Sequence, residues 1–214
     1  VEIFETLIEI PNLFKNKKRS ESKRVGIVTT TGGGGAMVVE SLSGSDIEII
    51  DPGLSIKKIM QDNNIAFNNI KLVDLTIAGT KPEIVNEVIS QMMKNENCDL
   101  VVMVVGSSAK FRPEQAVEPL LKWANYPKPL AVYVAPDAPE ALNLLHQNNI
   151  ACFRTPESCA ESVKTFLNTK NTAKPKILKN DLSNISKKLN KNISKKLSEE
   201  EALEIFKEIG IEIV

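Results

Sequence analysis

The sequence predicts an α/β fold built on a doubly wound parallel sheet, and three observations carry that prediction. Short apolar runs alternate with amphipathic runs of helix length from Arg24 to about Thr169. One of them, Val101-Val102-Met103-Val104-Val105, is apolar without a break, as a strand buried on both faces of a parallel sheet must be. Four consecutive glycines, Gly32, Gly33, Gly34 and Gly35, stand between the first strand of the series and its first helix.

Taken in order, residues 1–14 read as a short helix with Ile3, Phe4, Leu7 and Ile8 on one apolar face. Residues 15–23 form a polar basic connector with no interleaved aromatics, hence a solvated linker. Strands are expected at 25–28, 47–50, 100–105, 130–134 and 150–153. Helices are expected at 36–42, 56–61, 82–94, 113–123, 139–147 and 156–167, several opening on proline, whose missing N–H costs nothing in a first turn. Right-handed βα crossovers then give an open sheet of flavodoxin type, with ligands beyond the carboxyl ends of the strands. Those ends carry Thr29 to Gly35, Gly106-Ser107-Ser108 and Pro136-Asp137. Past residue 168, Asn, Lys and Ser dominate, with Leu182, Ile185, Leu189, Ile193 and Leu197 at helical or slightly longer spacing; a linker is expected there. Ser198-Glu199-Glu200-Glu201 supplies an N-cap and an acidic first turn for a helix over 202–209 that ends at Gly210. The expected domains are 1–23 (helix and connector), 24–169 (the flavodoxin-like domain), 170–197 (linker) and 198–214 (the opening of a further domain).

Composition narrows the function. Lys plus Arg equals Asp plus Glu at 27 each, so no global field recruits nucleic acid or an anionic membrane. Cys98, Cys152 and Cys159 lack metal-ligand spacing and an even count; they read as buried apolar residues in a reducing compartment, with no metal site expected. No apolar stretch approaches the roughly 20 residues of a membrane span, and no signal peptide is recognisable. A first residue other than Met and a strand-like final segment lead to the expectation of a piece of a longer polypeptide.

The glycine run is the candidate site. Glycines let backbone approach a ligand, and the free N–H groups and dipole of a helix N-terminus favour an anion. A tight turn that binds nothing is the competing reading; four glycines beside Thr29, Thr30 and Thr31 favour the anion. A Walker loop is excluded because Ala36-Met37 follows the last glycine, and a dinucleotide fingerprint needs glycine where Met37 stands. Asp51, near the spacing of a ribose ligand, is followed by Pro52-Gly53 and reads equally as turn chemistry. Asp74 reads as a turn or cap residue before a phosphate-site residue, and Asp137 as an N-cap. For Ser107 and Ser108, helix capping and ligand contact weigh the same. Trp123 reads as packing. His146, the one histidine, reads as a structural residue within a helix, and no serine triad is available.

The motifs together resemble one family. The stretch Arg24-Val25-Gly26-Ile27-Val28-Thr29-Thr30-Thr31-Gly32-Gly33-Gly34-Gly35-Ala36 is similar to the opening of a ligase-CoA domain of NDP-forming acyl-CoA synthetases, relatives of succinyl-CoA synthetase and ADP-forming acetate–CoA ligase. Val73-Asp74-Leu75-Thr76 resembles the family's N-P-V-D-L-T segment, with Leu72 in place of proline. Val104-Val105-Gly106-Ser107-Ser108-Ala109-Lys110-Phe111 follows its central strand. Asn149-Ile150-Ala151-Cys152-Phe153-Arg154-Thr155-Pro156-Glu157 resembles its closing G-I-P-x-F-x-T-P-E, with Asn149 in place of glycine. The segment from Leu197 to Ile211 is similar to the start of the ATP-grasp domain in fused members.

This resemblance implies a cytoplasmic enzyme that interconverts acid, CoA and ATP with acyl-CoA, ADP and phosphate through an acyl phosphate and a phosphohistidine. CoA, ATP or ADP and Mg would be used by the full-length protein and none by this fragment alone. Gly32, Gly33, Gly34 and Gly35 would cradle phosphate, with Thr30 and Thr31 as extra donors and Asp74, Ser107 and Ser108 as secondary candidates; no catalytic residue is carried over. The partners implied are a phosphohistidine-bearing companion domain and the ATP-grasp domain, and an oligomer is compatible with them. The family's histidine motif is not in this sequence, so the fragment alone would be inactive. The alternative is a non-catalytic anion-binding or regulatory module, as in protein acetyltransferases that carry this domain set.

Overall fold

Six parallel strands make one sheet in the computed structural model of the protein, which describes residues 1–15, 17, 18, 20, 22–67, 71–76, 81–169 and 197–208. The strands are β1 (Arg24–Thr29), β2 (Glu48–Ile49), β3 (Leu72–Asp74), β4 (Leu100–Val105), β5 (Leu130–Val134) and β6 (Ala151–Phe153). Their order is β2-β1-β4-β5-β6. β3 lies on the same side of β1 as β2: β2 pairs with Arg24 and Val25, and β3 with Ile27, Val28 and Thr29. The chain therefore winds to one side of β1 and then crosses to β4 on the other. The switch point, where open α/β sheets form their ligand crevice, lies between the carboxyl ends of β1 and β4.

The helices of this unit are α1 (Phe4–Phe14), α2 (Gly32–Leu42), α3 (Leu54–Asp62), α4 (Pro82–Lys94), α5 (Ser108–Phe111), α6 (Pro113–Leu121), α7 (Pro139–Gln147) and α8 (Pro156–Asn168). They cover both faces of the sheet. Alternation along β4 divides the core: Val101, Met103 and Val105 join the cluster under α3, α4, α6 and α7, while Leu100, Val102 and Val104 join the one under α2 and α8. All six β4 residues are buried, which is why its sequence carries no polar alternation.

Residues Val1–Asn171 make one compact unit and Thr172–Val214 a second. In the second, α9 (Glu199–Glu208) opens on a reciprocal cap: Ser198 Oγ accepts the Glu201 N–H at 3.2 Å and Glu201 Oε2 accepts the Ser198 N–H at 2.7 Å. The expected linker, with Leu182, Ile185, Leu189 and Ile193, and the stop at Gly210 lie outside the described residues. Among the described residues, no helix is long and apolar enough to cross a membrane.

Several expectations are corrected. The glycines are the first turn of α2, since the helix starts at Gly32 rather than at 36. β3 and α5 were not anticipated as elements. α1 presents the opposite face from the one its apolar pattern predicts: Thr6, Glu9 and Leu13 are buried, while Phe4, Leu7 and Ile8 are 75%, 58% and 51% exposed. The reason lies in β6, the outer strand. The Arg154 N–H, just past its end, donates to Glu5 Oε1 at 2.9 Å, and its Cys152 N–H donates to Glu9 Oε2 at 3.3 Å. Carboxylates four apart on a helix are about 6 Å apart, and alternate residues of a strand about 6.6 Å, so one helix face matches the row of donors. The buried Cys152 N–H must be paired, and Glu9 meets that demand while Glu5 takes the exposed Arg154 N–H, which turns α1 against its own apolar stripe.

Candidate functional site

β1 delivers its last residue, Thr29, fully buried at the carboxyl edge of the sheet. Thr29 Oγ1 accepts the Thr31 N–H at 2.9 Å and donates to the Thr31 carbonyl at 2.7 Å, folding the chain sharply toward α2. Thr30 turns the other way. Its N–H donates to the Val104 carbonyl at 2.9 Å, and its Oγ1 accepts the Gly106 N–H at 2.9 Å. The two strand ends that flank the switch point are thus bonded to each other. A Cβ at Gly106 would stand 2.9 Å from the Thr30 carbonyl oxygen, so glycine is required by this close approach.

Within α2 the four glycines do different things, and none of them has a positive φ. A Cβ at Gly34 would meet Thr31 Cγ2 at 2.9 Å and Val104 Cγ1 at 3.1 Å. One at Gly35 would meet Thr29 Cγ2 at 2.9 Å and Leu72 Cδ2 at 3.1 Å. These two glycines let the helix press onto the sheet. At Gly32 a Cβ would come within 2.8 Å of Asp74 Oδ2, and at Gly33 it would meet nothing within 4 Å. Of the four, only Gly33 meets open space among the described residues.

The first-turn N–H groups are divided likewise. Gly32 N–H donates to Thr76 Oγ1 at 3.1 Å, and Asp74 Oδ1 accepts the Thr76 N–H at 2.9 Å and the Thr76 hydroxyl. Asp74 therefore holds Thr76 as the cap of α2, the turn role expected of it. Gly35 N–H returns to the Thr31 carbonyl at 3.0 Å. Among the described residues, the N–H groups of Gly33 and Gly34 have no acceptor. Thr31 is the N-cap residue, but its side chain makes no capping bond. Two adjacent donors at a dipole's positive end are chemically able to hold one anionic oxygen.

Of the other sequence candidates, Ser107 and Ser108 reach the same edge after β4, next to Gly106. Ser107 precedes the four-residue α5 and makes no side-chain cap, and α6 is preceded by Arg112, so the expected capping before Pro113 is not formed. Asp137 does not cap α7, whose N-cap is Ala138; it pairs instead with Arg154 Nε at 3.5 Å. Asp51 accepts the Gly53 N–H at 2.8 Å and binds Lys57 at 2.7 Å, which is turn chemistry. Trp123 is 6% exposed and packs edge-on against Tyr126 at 5.0 Å. His146 sits in the last turn of α7, at the end of that helix away from the strand carboxyl ends. Thr76 was given no role from sequence, though the Asp-x-Thr spacing after a strand marks it, and Gly106 was placed at this edge without a role of its own.

Several solved structures resemble this one, three of them as follows. PH0766 from Pyrococcus horikoshii OT3 superposes with a TM-score of 0.63 at 17% identity, over 78% of this chain and 40% of that one. The apo form of a dinucleotide-forming acetyl-coenzyme A synthetase 1 of Ca. Korarchaeum cryptofilum superposes with a TM-score of 0.61 at 18% identity, over 78% of this chain and 37% of that one. The chain shares the fold of both proteins over the matched part. The same synthetase in complex with phosphate and ADP gives a TM-score of 0.61 at 17% identity, over 81% of this chain and 40% of that one. The chain thus spans about two fifths of the length of the chains it matches. No protein-family model and no curated protein matches the sequence. The α/β fold with a flavodoxin-like parallel sheet, expected from the strand pattern and from the family resemblance, is the fold found.

Proposed function

We propose that this domain is part of an NDP-forming acyl-CoA synthetase and presents the first turn of α2 to a phosphoryl group carried on a histidine of a companion domain. The observation that carries the reading is the pair of N–H groups of Gly33 and Gly34, without an acceptor among the described residues and open to solvent at Gly33. A phosphoryl oxygen lodged there would be stabilised by fixed dipoles that need no reorganisation during transfer, a contribution of a few kcal/mol. His146 is remote from this edge and is the sole histidine of the sequence, so the phosphorylated imidazole belongs to another domain. CoA, nucleotide and Mg²⁺ are assigned to the parts of the enzyme beyond this domain, the ATP-grasp domain among them. A neighbour of the same fold was solved with phosphate and ADP, which is consistent with this chemistry.

The test is a phosphate titration followed by backbone amide NMR. Shifts concentrated at Gly33 and Gly34, weakened in Gly33→Val, are expected. Shifts clustered elsewhere, or a Gly33→Val chain that binds phosphate unchanged, would leave the glycine run as packing alone. In the full-length protein, Gly33→Val lowers acyl-CoA formation while the fold is retained.

A further inference from the structure

We propose that Glu9, His146 and Cys152 form a site for one divalent cation of the zinc class. The three come from separate elements: the buried face of α1, the last turn of α7 and the middle of β6. Glu9 Oε1 lies 3.5 Å from His146 Nδ1, Glu9 Oε2 lies 4.0 Å from Cys152 Sγ, and all three donor atoms fall within 4.8 Å of one another. Tetrahedral ligands held by bonds of ~2.0–2.3 Å stand ~3.3–3.7 Å apart, so shifts of about 1 Å or less would close the set. Glu9 and Cys152 are buried and fixed by the packing of α1 on β6, while His146 is exposed and serves as the movable outer ligand.

The charge arrangement points the same way. Among the described residues, the partners of the buried Glu9 carboxylate are the Cys152 N–H, the Cys152 thiol and the exposed His146 imidazole. A buried carboxylate held by two neutral donors and an exposed imidazole favours a cation beside it. Burial, and after it the Glu9 charge, pushes the Cys152 thiol up to about 12. A divalent ion reverses that: the Sγ–H bond breaks, the proton passes to buffer, and the thiolate bonds the metal. A mixed carboxylate, imidazole and thiolate set suits Zn²⁺ or Co²⁺ and not Mg²⁺ or Ca²⁺, which take oxygen ligands. Three protein ligands leave a fourth position for water. Glu9 Oε2 can keep the Cys152 N–H while Oε1 takes the ion, so the bound metal would pin α1 to β6 and α7. This site is independent of the glycine edge.

The full chain, stripped with a chelator, is titrated with Zn²⁺ in competition with a chromophoric chelator, and with Co²⁺ followed by absorbance. One equivalent should bind, with a thiolate-to-cobalt band in the near ultraviolet. Cys152→Ser should abolish that band, and Cys98→Ser and Cys159→Ser should keep it. His146→Gln, at an exposed position that leaves the fold intact by circular dichroism, should weaken Zn²⁺ binding by roughly tenfold or more. Absence of stoichiometric binding overturns the proposal. So does a band that survives Cys152→Ser, or His146→Gln binding as tightly as the parent chain.

Discussion

Thr30 Oγ1 accepts the N–H of Gly106 at 2.9 Å, tying the carboxyl ends of β1 and β4 together at the point where the sheet changes winding direction. Thr30 was expected as an extra donor to phosphate. Its hydroxyl oxygen also holds the crevice floor by accepting that N–H, and Thr29 Oγ1 accepts the Thr31 N–H in the same way.

Thr30→Val leaves the Gly106 N–H without its acceptor and should cost about 1–2 kcal/mol. Hydrogen exchange at Gly106 should accelerate more than at residues elsewhere in β4. Thr30→Ser, which keeps the oxygen, should restore protection.

Gly33 and Gly34 should part company on substitution. Gly34→Val forces a side chain into Thr31 and Val104 and should destabilise by about 2–3 kcal/mol in urea unfolding. Gly33→Ala enters open space within a helix and should leave stability equal or higher by up to about 1 kcal/mol. Equal losses at the two positions would show that the first turn is packed differently.

The Asp99 carboxyl gives a pH signature. Burial alone would raise it, but the Arg24 guanidinium and backbone N–H, at 3.2, 3.1 and 2.9 Å, outweigh burial and hold it below its ordinary value. A carboxyl lowered on folding contributes stability above about pH 4 and loses it as pH falls through the folded value. Asp99→Asn should therefore melt below the parent chain at pH 7, and the two melting curves should converge in acid.

Burial pushes the Cys98 and Cys159 thiols up, so both stay protonated at pH 8. Iodoacetamide followed by mass spectrometry should find them unmodified in the folded chain and modified in urea. Rapid alkylation of Cys159 without denaturant would contradict the packing of α8.

What sequence reveals here depends on which force decides each element. β4 and β5 were legible because burial on both faces leaves a continuous apolar run with no other explanation. The start of α2 was misplaced because glycine disfavours helix; close packing at Gly34 and Gly35 outweighs that preference. The face of α1 was misread because periodicity records apolar side chains and not the N–H row of a strand it will meet. The first turn of α2, the proposed anion cradle, was half legible. Its glycines stand in one run, whereas the sharing of donors between Thr76 and open space depends on β3, too short to announce itself. Glu9, His146 and Cys152 are dispersed along the chain, and no spacing could join them.

The match between Glu5 and Glu9 on α1 and the donors of Arg154 and Cys152 has a consequence for how the molecule behaves in company. An uncapped outer strand is a template on which another copy can add its own backbone, and the process repeats. Here the template is blocked by two side chains rather than by a further strand, and charged groups make poor seeds for polymerisation. Chains begun after residue 15 would lose the block and keep the template. Self-association and precipitation, rather than loss of the sheet itself, would be the mark of that truncation.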